Sequence, residues 1–513
     1  MPETTGKVYL VGAGPGDPGL ITVKGRECIR MAQVIIYDYL APPALLNDAA
    51  PGAERIYVGK KGGDHTLSQD KINTLICEKV QEGKIVARLK GGDPFIFGRG
   101  GEEAEILVEN KIPFEIVPGV TSAIAAPAYA GIPLTHREYN ATVAFVTGHE
   151  DPTKEESLIN WPALARGIGT VVFLMGVKNL PKIVDQLVSN GRPANTPVAV
   201  VRWGTRPIQT SVTGTLATIV DRVTQARIKA PAIIVVGDVV ALRERLKWFE
   251  TQPLFGRRIL VTRARQQASV LVKGLSDLGA ECVEFPTIEI TPPEDWNPVD
   301  QAIAGLDRYD WLVFTSVNGV DFFFKRLFEN GKDVRALGRI RTAVIGPATA
   351  QRLLDFGFQS DIVPKTYRAE SVVEAFEAER MAGKHVLLPR AAEARPVLPQ
   401  ALRQMGARVD EITTYRTRRM ADSGGTLLTR LENRQIDLIT FTSSSTVRNF
   451  VALLPADRIR DLLSNVTMVS IGPITSQTAA DLGVRVDITA ETYTIPGLIR
   501  AIRAHCGTPE SDQ

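Results

Sequence analysis

Residues 7–19 read KVYLVGAGPGDPG. Lys7–Val11 is short, β-branched and mostly apolar, and Gly12–Gly19 follows it with four glycines and two prolines. Such a segment is a strand that ends in a tight turn and opens a helix, because glycine lets the backbone turn sharply beside a helix N-terminus that favours negative charge. The pattern continues outward. Val34–Tyr37, Ile85–Leu89, Phe114–Val117, Ala144–Thr147, Val171–Met175, Val198–Val201 and Ala232–Val236 are equally short and apolar, and several are separated by stretches with helical spacing. Alternation of this kind predicts an α/β fold with parallel sheets covered on both faces.

The glycine loop taken alone has two readings. A dinucleotide fingerprint needs G-x-G-x-x-G, and here Asp17 stands at the third glycine position while Pro15 and Pro18 stiffen the turn. Asp38 ends the second strand, where an NAD-binding protein places its ribose-binding acid. The other reading is a plain strand-to-helix turn. A stronger signal is Leu89–Glu103, LKGGDPFIFGRGGEE, with five glycines at the carboxyl end of a strand. So much glycine implies close backbone approach at the edge where α/β sheets bind ligands. Val117–Ala126 (VPGVTSAIAA) and Gly131–Arg137 (GIPLTHR) place more Pro, Gly and hydroxyl groups just after strands or helices.

The second half contains an internal repeat. Ile259–Arg263 recurs as Val386–Arg390, Leu275–Glu281 as Leu402–Arg408, and Phe314–Ser316 as Phe441–Ser443, each at an offset of 127 residues; Ile345–Pro347 recurs as Ile471–Pro473 at 126. This predicts two α/β lobes of one plan with a cleft between them. The joint between halves falls at Lys247–Gly256 (KWFETQPLFG), and the polar tail Gly507–Gln513 is expected to be disordered.

Composition limits the function. The chain has 513 residues, 44% apolar and 23% charged, which suits about three or four folded units. Residues 1–250 carry 28 basic and 26 acidic side chains and residues 251–513 carry 32 and 31, so neither half has the surplus of a nucleic-acid binder. Cys28, Cys77, Cys282 and Cys506 are isolated, and the five histidines form no zinc pattern. With no signal-like segment and no apolar run of membrane length, a soluble cytoplasmic protein without a metal is expected.

Residues 6–250 resemble the uroporphyrinogen-III C-methyltransferases of the tetrapyrrole methylase fold: VGAGPGDPG, LKGGDPFIFGRGGEE, VPGVTSA, GIPLTHR and VTGH occur in the family's order and spacing. The resemblance implies a two-lobed domain that binds S-adenosylmethionine between its lobes. It assigns cofactor contacts to Pro15, Gly91, Gly92, Asp93, Ile96, Thr121, Ser122, Met175 and Gly204, and an acid/base pair to Asp38 and Lys60. A sulfonium methyl is already activated, so alignment is the main requirement, and a carboxylate such as Asp38 can take the proton lost from a methylated pyrrole carbon. Arg99, Arg137 and Lys60 lie in or near the motifs and can pair with substrate carboxylates. The family is typically dimeric, so a homodimer through this half is expected.

Residues 257–506 resemble uroporphyrinogen-III synthase through RRILVTRA, FTSVNGV, VIGPATAQRL, TTYRT, FTSSSTVRNF and SIGPITSQTA. That family implies two α/β lobes joined by a two-stranded connection, crossing near residues 286–290 and 413–417, with an inserted lobe at about 292–412. Its reaction closes hydroxymethylbilane with inversion of ring D, and Tyr415 matches the tyrosine proposed to assist loss of the hydroxyl. Thr315, Ser316, Gly346, Thr442, Ser443, Ser444 and Gly472 stand at strand ends and helix starts, where N–H and hydroxyl groups grip carboxylates; ordinary helix capping is the alternative for each serine. Together the resemblances imply a methyltransferase (1–250), a linker (251–256) and a synthase lyase (257–506). Such a chain would cyclise hydroxymethylbilane and then methylate uroporphyrinogen III at C2 and C7 to precorrin-2, for sirohaem or cobalamin. Because the chain starts at the methylase strand, neither an oxidase/chelatase module nor NAD is expected. The rivals are an NAD-linked oxidoreductase and a second half that only binds a tetrapyrrole.

Overall fold

In the computed structural model, residues 6–59, 67–149, 157–262, 265–286, 288–364, 369–419 and 424–507 are described. The apolar run Lys7–Gly12 forms β1, inside a parallel sheet of order β3-β2-β4-β1-β5 with β2 Val34–Tyr37, β3 Glu54–Tyr57, β4 Ile85–Lys90 and β5 Phe114–Val117. Side chains alternate between its faces. Val8, Leu10, Val34, Ile36 and Val86 pack with Ile72 and Ile76 on one side, and Val11, Ile35, Ala87 and Leu89 pack with Cys28 and Ile29 on the other. Burial on both faces is why these strands read as continuous apolar runs.

A second sheet follows, of order β6-β7-β10-β8-β9, with β6 Val143–Thr147, β7 Thr170–Leu174, β8 Pro197–Arg202, β9 Thr210–Thr215 and β10 Ala232–Val236. It departs from the expected parallel arrangement. Only β6 and β7 run parallel; β10 is antiparallel to β7 and β8, and β8 to β9. The connection 203–209 is too short for a crossover, which needs a dozen or more residues, so β8 and β9 must form a hairpin. Both faces are nonetheless covered: Phe173, Val200 and Ile234 meet Ile183 and Ile219, while Val172, Val201 and Ile233 meet Ala123 and Ala126. Apolar runs therefore recorded burial, and strand direction followed from connection length.

The remaining strands are β11 Arg258–Val261, β12 Glu281–Glu284, β13 Ile288–Thr291, β14 Trp311–Phe314, β15 Arg341–Val344, β16 His385–Ala391, β17 Arg408–Arg419, β18 Leu438–Phe441, β19 Thr467–Ser470 and β20 Ile488–Thr489. They form sheets of order β12-β11-β18-β19-β20 and β13-β17-β16-β14-β15. The repeat maps one onto the other: β11 to β16, β12 to β17, β18 to β14 and β19 to β15, with the β20 position taken by the single bridge Ala343–Ile362. β13 pairs antiparallel with the end of β17, Ile288 opposite Arg419 and Thr291 opposite Arg416, which is the anticipated two-stranded connection. By density of contacts the chain forms two units, Met1–Ile259 with Lys273–Cys282 and Arg503–Gln513, and Leu260–Val272 with Val283–Ile502.

Candidate active sites

In the first unit the glycine loops meet at the carboxyl ends of β1, β4 and β5. Gly14 and Gly92 exchange backbone hydrogen bonds (3.2 and 2.7 Å), and the Ala13 N–H donates to the Lys90 carbonyl at 2.8 Å. A Cβ on Gly12 would lie 2.5 Å from the Gly119 Cα and 2.8 Å from the Gly92 oxygen, so only glycine permits this approach. Asp93 pins the arrangement. Its Oδ1 accepts N–H bonds from Phe95 (2.7 Å) and Ile96 (3.1 Å), and its Oδ2 accepts one from Gly119 (3.0 Å).

Backbone strain occurs in the loop after β4 and in the loops that follow β7 and β8. Phe97, Arg99, Met175, Trp203 and Thr205 all have positive φ, which side chains larger than glycine adopt at a cost. Ile96 and Met175 remain 39% and 52% exposed although apolar. Thr121 is buried and caps the helix Ser122–Tyr129, accepting from the Ala123 N–H. Gly204 fits against that helix, since a Cβ there would meet the Ala126 Cβ at 2.3 Å. Pro15 is half-buried in the first loop. The Asp17 N–H beside it donates to Thr205 Oγ1 (3.0 Å), and the Tyr129 hydroxyl donates to Asp17 Oδ2 (2.8 Å). Asp17, which breaks the dinucleotide fingerprint, thus ties the first loop to the second sheet's loop.

Asp38 stands at the end of β2. Its Oδ1 accepts from the Leu40 and Ala41 N–H groups (3.0 and 3.3 Å), and its Oδ2 lies 3.7 Å from the buried Arg88 guanidinium. Lys60 lies outside the described residues. Arg99 is forked onto Glu102 at 2.9 and 2.5 Å, and that bond raises its already high pKa. Arg137 is exposed in the loop before β6. Sequence reasoning missed Tyr39 and Trp203, whose rings meet edge-on at 5.8 Å, and the exposed Phe95. Their signal was aromatic residues beside the anticipated Asp38, Gly204 and Asp93, in the stretches YDYL (37–40), RWGT (202–205) and DPFIF (93–97). A separate cleft of about 410 Å³, lined by Val177, Leu180, Val223 and Arg227 among others, contains none of the anticipated residues.

In the second unit, Ser316 caps the helix Val317–Glu329 and lies 2.9 Å from the Tyr415 hydroxyl. Tyr415 is 8% exposed and its ring stacks on Phe322 at 5.9 Å; burial raises its pKa, which favours the neutral phenol. Ser443, the repeat equivalent of Ser316, caps the helix Ser444–Val451 in a capping box with Thr446. Ser444 accepts from the Thr478 hydroxyl at 2.7 Å. Gly346 and Gly472 precede helices that begin at Pro347 and Pro473, and Thr315 and Thr442 are half-buried at the ends of β14 and β18. Ser316 and Ser443 therefore do act as caps, whereas Ser444 is the first residue of its helix. The exposed Tyr493, packed where a Gly472 Cβ would point, was not anticipated.

A family model of tetrapyrrole (corrin/porphyrin) methylases matches residues 7–220, and one of uroporphyrinogen-III synthase HemD matches residues 269–500. The porphyrin biosynthesis protein HemD of Ruminiclostridium josui is 40% identical over 496 residues, covering 96% of this chain and 97% of that protein. A uroporphyrinogen-III C-methyltransferase of Bacillus subtilis is 44% identical, covering 67% of this chain and 70% of its own. The S-adenosyl-L-methionine-dependent uroporphyrinogen III methyltransferase of Methanosarcina barkeri is 56% identical, covering 48% of this chain and 96% of its own.

Proposed function

The chain belongs to the family in which a tetrapyrrole methylase is joined to a uroporphyrinogen-III synthase, and from this we propose that it converts hydroxymethylbilane to uroporphyrinogen III and then methylates that product at C2 and C7 to precorrin-2. The domains we assign are a methyltransferase at 1–250, a linker at 251–256 and a synthase at 257–506, working in the cytoplasm on the way to sirohaem or cobalamin, with the methyltransferase half pairing as a homodimer. The observation that carries the methylation reading is the cradle at the carboxyl edge of the first sheet, where Gly12, Gly92 and Gly119 touch and Asp93 locks them.

The residues present fit S-adenosylmethionine. The glycines let three loops close on one another at the strand ends, Ile96 and Met175 offer exposed apolar surface, and Thr121 caps the helix that opens at Ser122. When bound, that cofactor supplies a methyl group already activated on a sulfonium. The rest is the work of the chain: Pro15, Gly91, Gly92, Asp93, Ile96, Thr121, Ser122, Met175 and Gly204 hold and orient, and Asp38 Oδ2 accepts the proton from the methylated carbon. Arg99 and Arg137 receive substrate carboxylates, and we keep Lys60 as the partner of Asp38.

In the second half, hydroxide loss from hydroxymethylbilane yields a delocalised cation, so no strong nucleophile is needed. The Tyr415 hydroxyl donates a proton to the departing hydroxyl, which leaves as water, and regains one from the proton released at ring closure, while Thr315, Ser316, Gly346, Thr442, Ser443, Ser444 and Gly472 grip carboxylates and fold the chain for closure. Incubation of the purified chain with hydroxymethylbilane and S-adenosylmethionine tests both halves: a type III macrocycle carrying two added methyl groups is expected by mass. A type III product that never gains methyl groups would refute the first half, and dimethylation of added uroporphyrinogen III without ring closure would refute the second.

A further inference from the structure

Behind Asp38 lies a set of buried charges that the reaction above does not use. Arg88 and Lys90 are two apart on β4 and so point to one side of the sheet, and each side chain is 4% exposed. Both reach Glu103, in the helix Gly100–Glu109, whose side chain is 0% exposed. Glu103 Oε1 accepts from Lys90 Nζ (2.6 Å), Gln69 Nε2 (3.1 Å) and Arg88 Nε (3.3 Å), while its Oε2 has no hydrogen-bond partner among the described residues. Arg88 also donates from Nη1 to the Leu89 carbonyl at 2.8 Å. Its remaining arm, Nη2, faces Asp38 Oδ2 at 3.7 Å.

Burying a cation is costly unless it is paired and held, so this cluster is an investment that needs a purpose. Lys90 can relieve that cost by losing its proton, and burial, followed by the charge of Arg88, lowers its pKa. A guanidinium cannot do so and stays charged. Arg88 is thus a permanent positive charge, clamped from behind by Glu103 and aimed at one oxygen of Asp38. At 3.7 Å it makes no hydrogen bond, so among the described residues Oδ2 accepts none and can take a proton, while Oδ1 is held by the turn N–H groups.

We infer that Arg88, anchored by Glu103, is a positioning residue that sets the orientation of Asp38 for proton transfer in the methylation step. The inference rests on the reading of Asp38 as the proton acceptor. It is tested in the full chain with Asp38→Asn, Arg88→Gln, Arg88→Lys and the double variant Asp38→Asn/Arg88→Gln, measuring kcat for methylation of uroporphyrinogen III and KM for S-adenosylmethionine. Asp38→Asn should lower kcat. Arg88→Gln should lower kcat by about tenfold with KM changed less than about twofold, and Arg88→Lys should recover part of the loss. Added to Asp38→Asn, Arg88→Gln should cost less than about a further twofold, because a residue that acts through Asp38 has nothing left to orient. An equal loss in both backgrounds would overturn the role of Arg88 and leave that of Asp38 standing. An unchanged kcat in Asp38→Asn would overturn the Asp38 reading and the inference with it. The thermal unfolding midpoint of each variant checks folding; should Arg88→Gln not fold, Arg88→Lys and its double variant with Asp38→Asn complete the same cycle.

Discussion

Asp93 shows how one side chain shapes a glycine-rich loop. Three N–H groups converge on its carboxylate, two from its own loop and one from Gly119, 26 residues away. Removing the acceptor exposes these donors, each worth about 1–3 kcal/mol where buried. Asp93→Ala is therefore expected to weaken S-adenosylmethionine binding at least about tenfold by calorimetry, while ring closure is unchanged. Tyr415 plays the comparable part in the second unit. Tyr415→Phe keeps the stack on Phe322 but removes the hydroxyl 2.9 Å from Ser316. Formation of the type III product should fall by about 10²-fold, the lower range for loss of a general acid, with methylation of added uroporphyrinogen III unaffected. The types and spacing of these residues were legible in the motifs. Their partners were not, because Ser316 and Tyr415 are 99 residues apart and meet only in the folded sheet.

Among the elements, the apolar central strands were all legible, and the two strands missing from the sequence reading of the first half, β3 (ERIY) and β9 (TSVTGT), lie at sheet edges. An edge strand is covered less, so polar residues are allowed and the apolar signal fades. Another edge strand, β5, carries an acid-sensitive tie. Glu115 bonds with Lys24 and Lys7, which lower its pKa from the ordinary 4.5 to about 2. A carboxylate with a depressed folded pKa contributes stability that is present above its unfolded value and lost as pH falls. The unfolding midpoint should thus drop between about pH 4.5 and 2, and the drop should be shallower in Glu115→Gln. At the opposite end of β1, Gly12→Ala would press a methyl group against Gly119. It should cost about 1–3 kcal/mol in thermal or denaturant unfolding and abolish methyl transfer by displacing the cradle.

At the level of the whole molecule, a 513-residue chain with a formal charge of only +3 is assigned substrates carrying many carboxylates. Recognition must then rest on local arginines, hydroxyls and helix starts, which total charge does not report. The proposed activities sit in separate units, so Asp93→Ala and Tyr415→Phe should each abolish or slow one reaction and spare the other; loss of both from either change would show that the halves are coupled.

The central strands, the glycine loops and the duplicated plan of the second half could be read from the chain, because each depends on local composition or on a repeat at a constant offset. The direction of the strands in the second sheet, the bridging of Asp93 to Gly119, the pairing of Ser316 with Tyr415 and the burial of Arg88 and Lys90 around Glu103 emerged only in three dimensions. Strand order and register bring distant residues together, and whether a charged side chain is solvated or sealed beneath a helix depends on what packs over it. Neither is encoded in the neighbours of a residue along the chain.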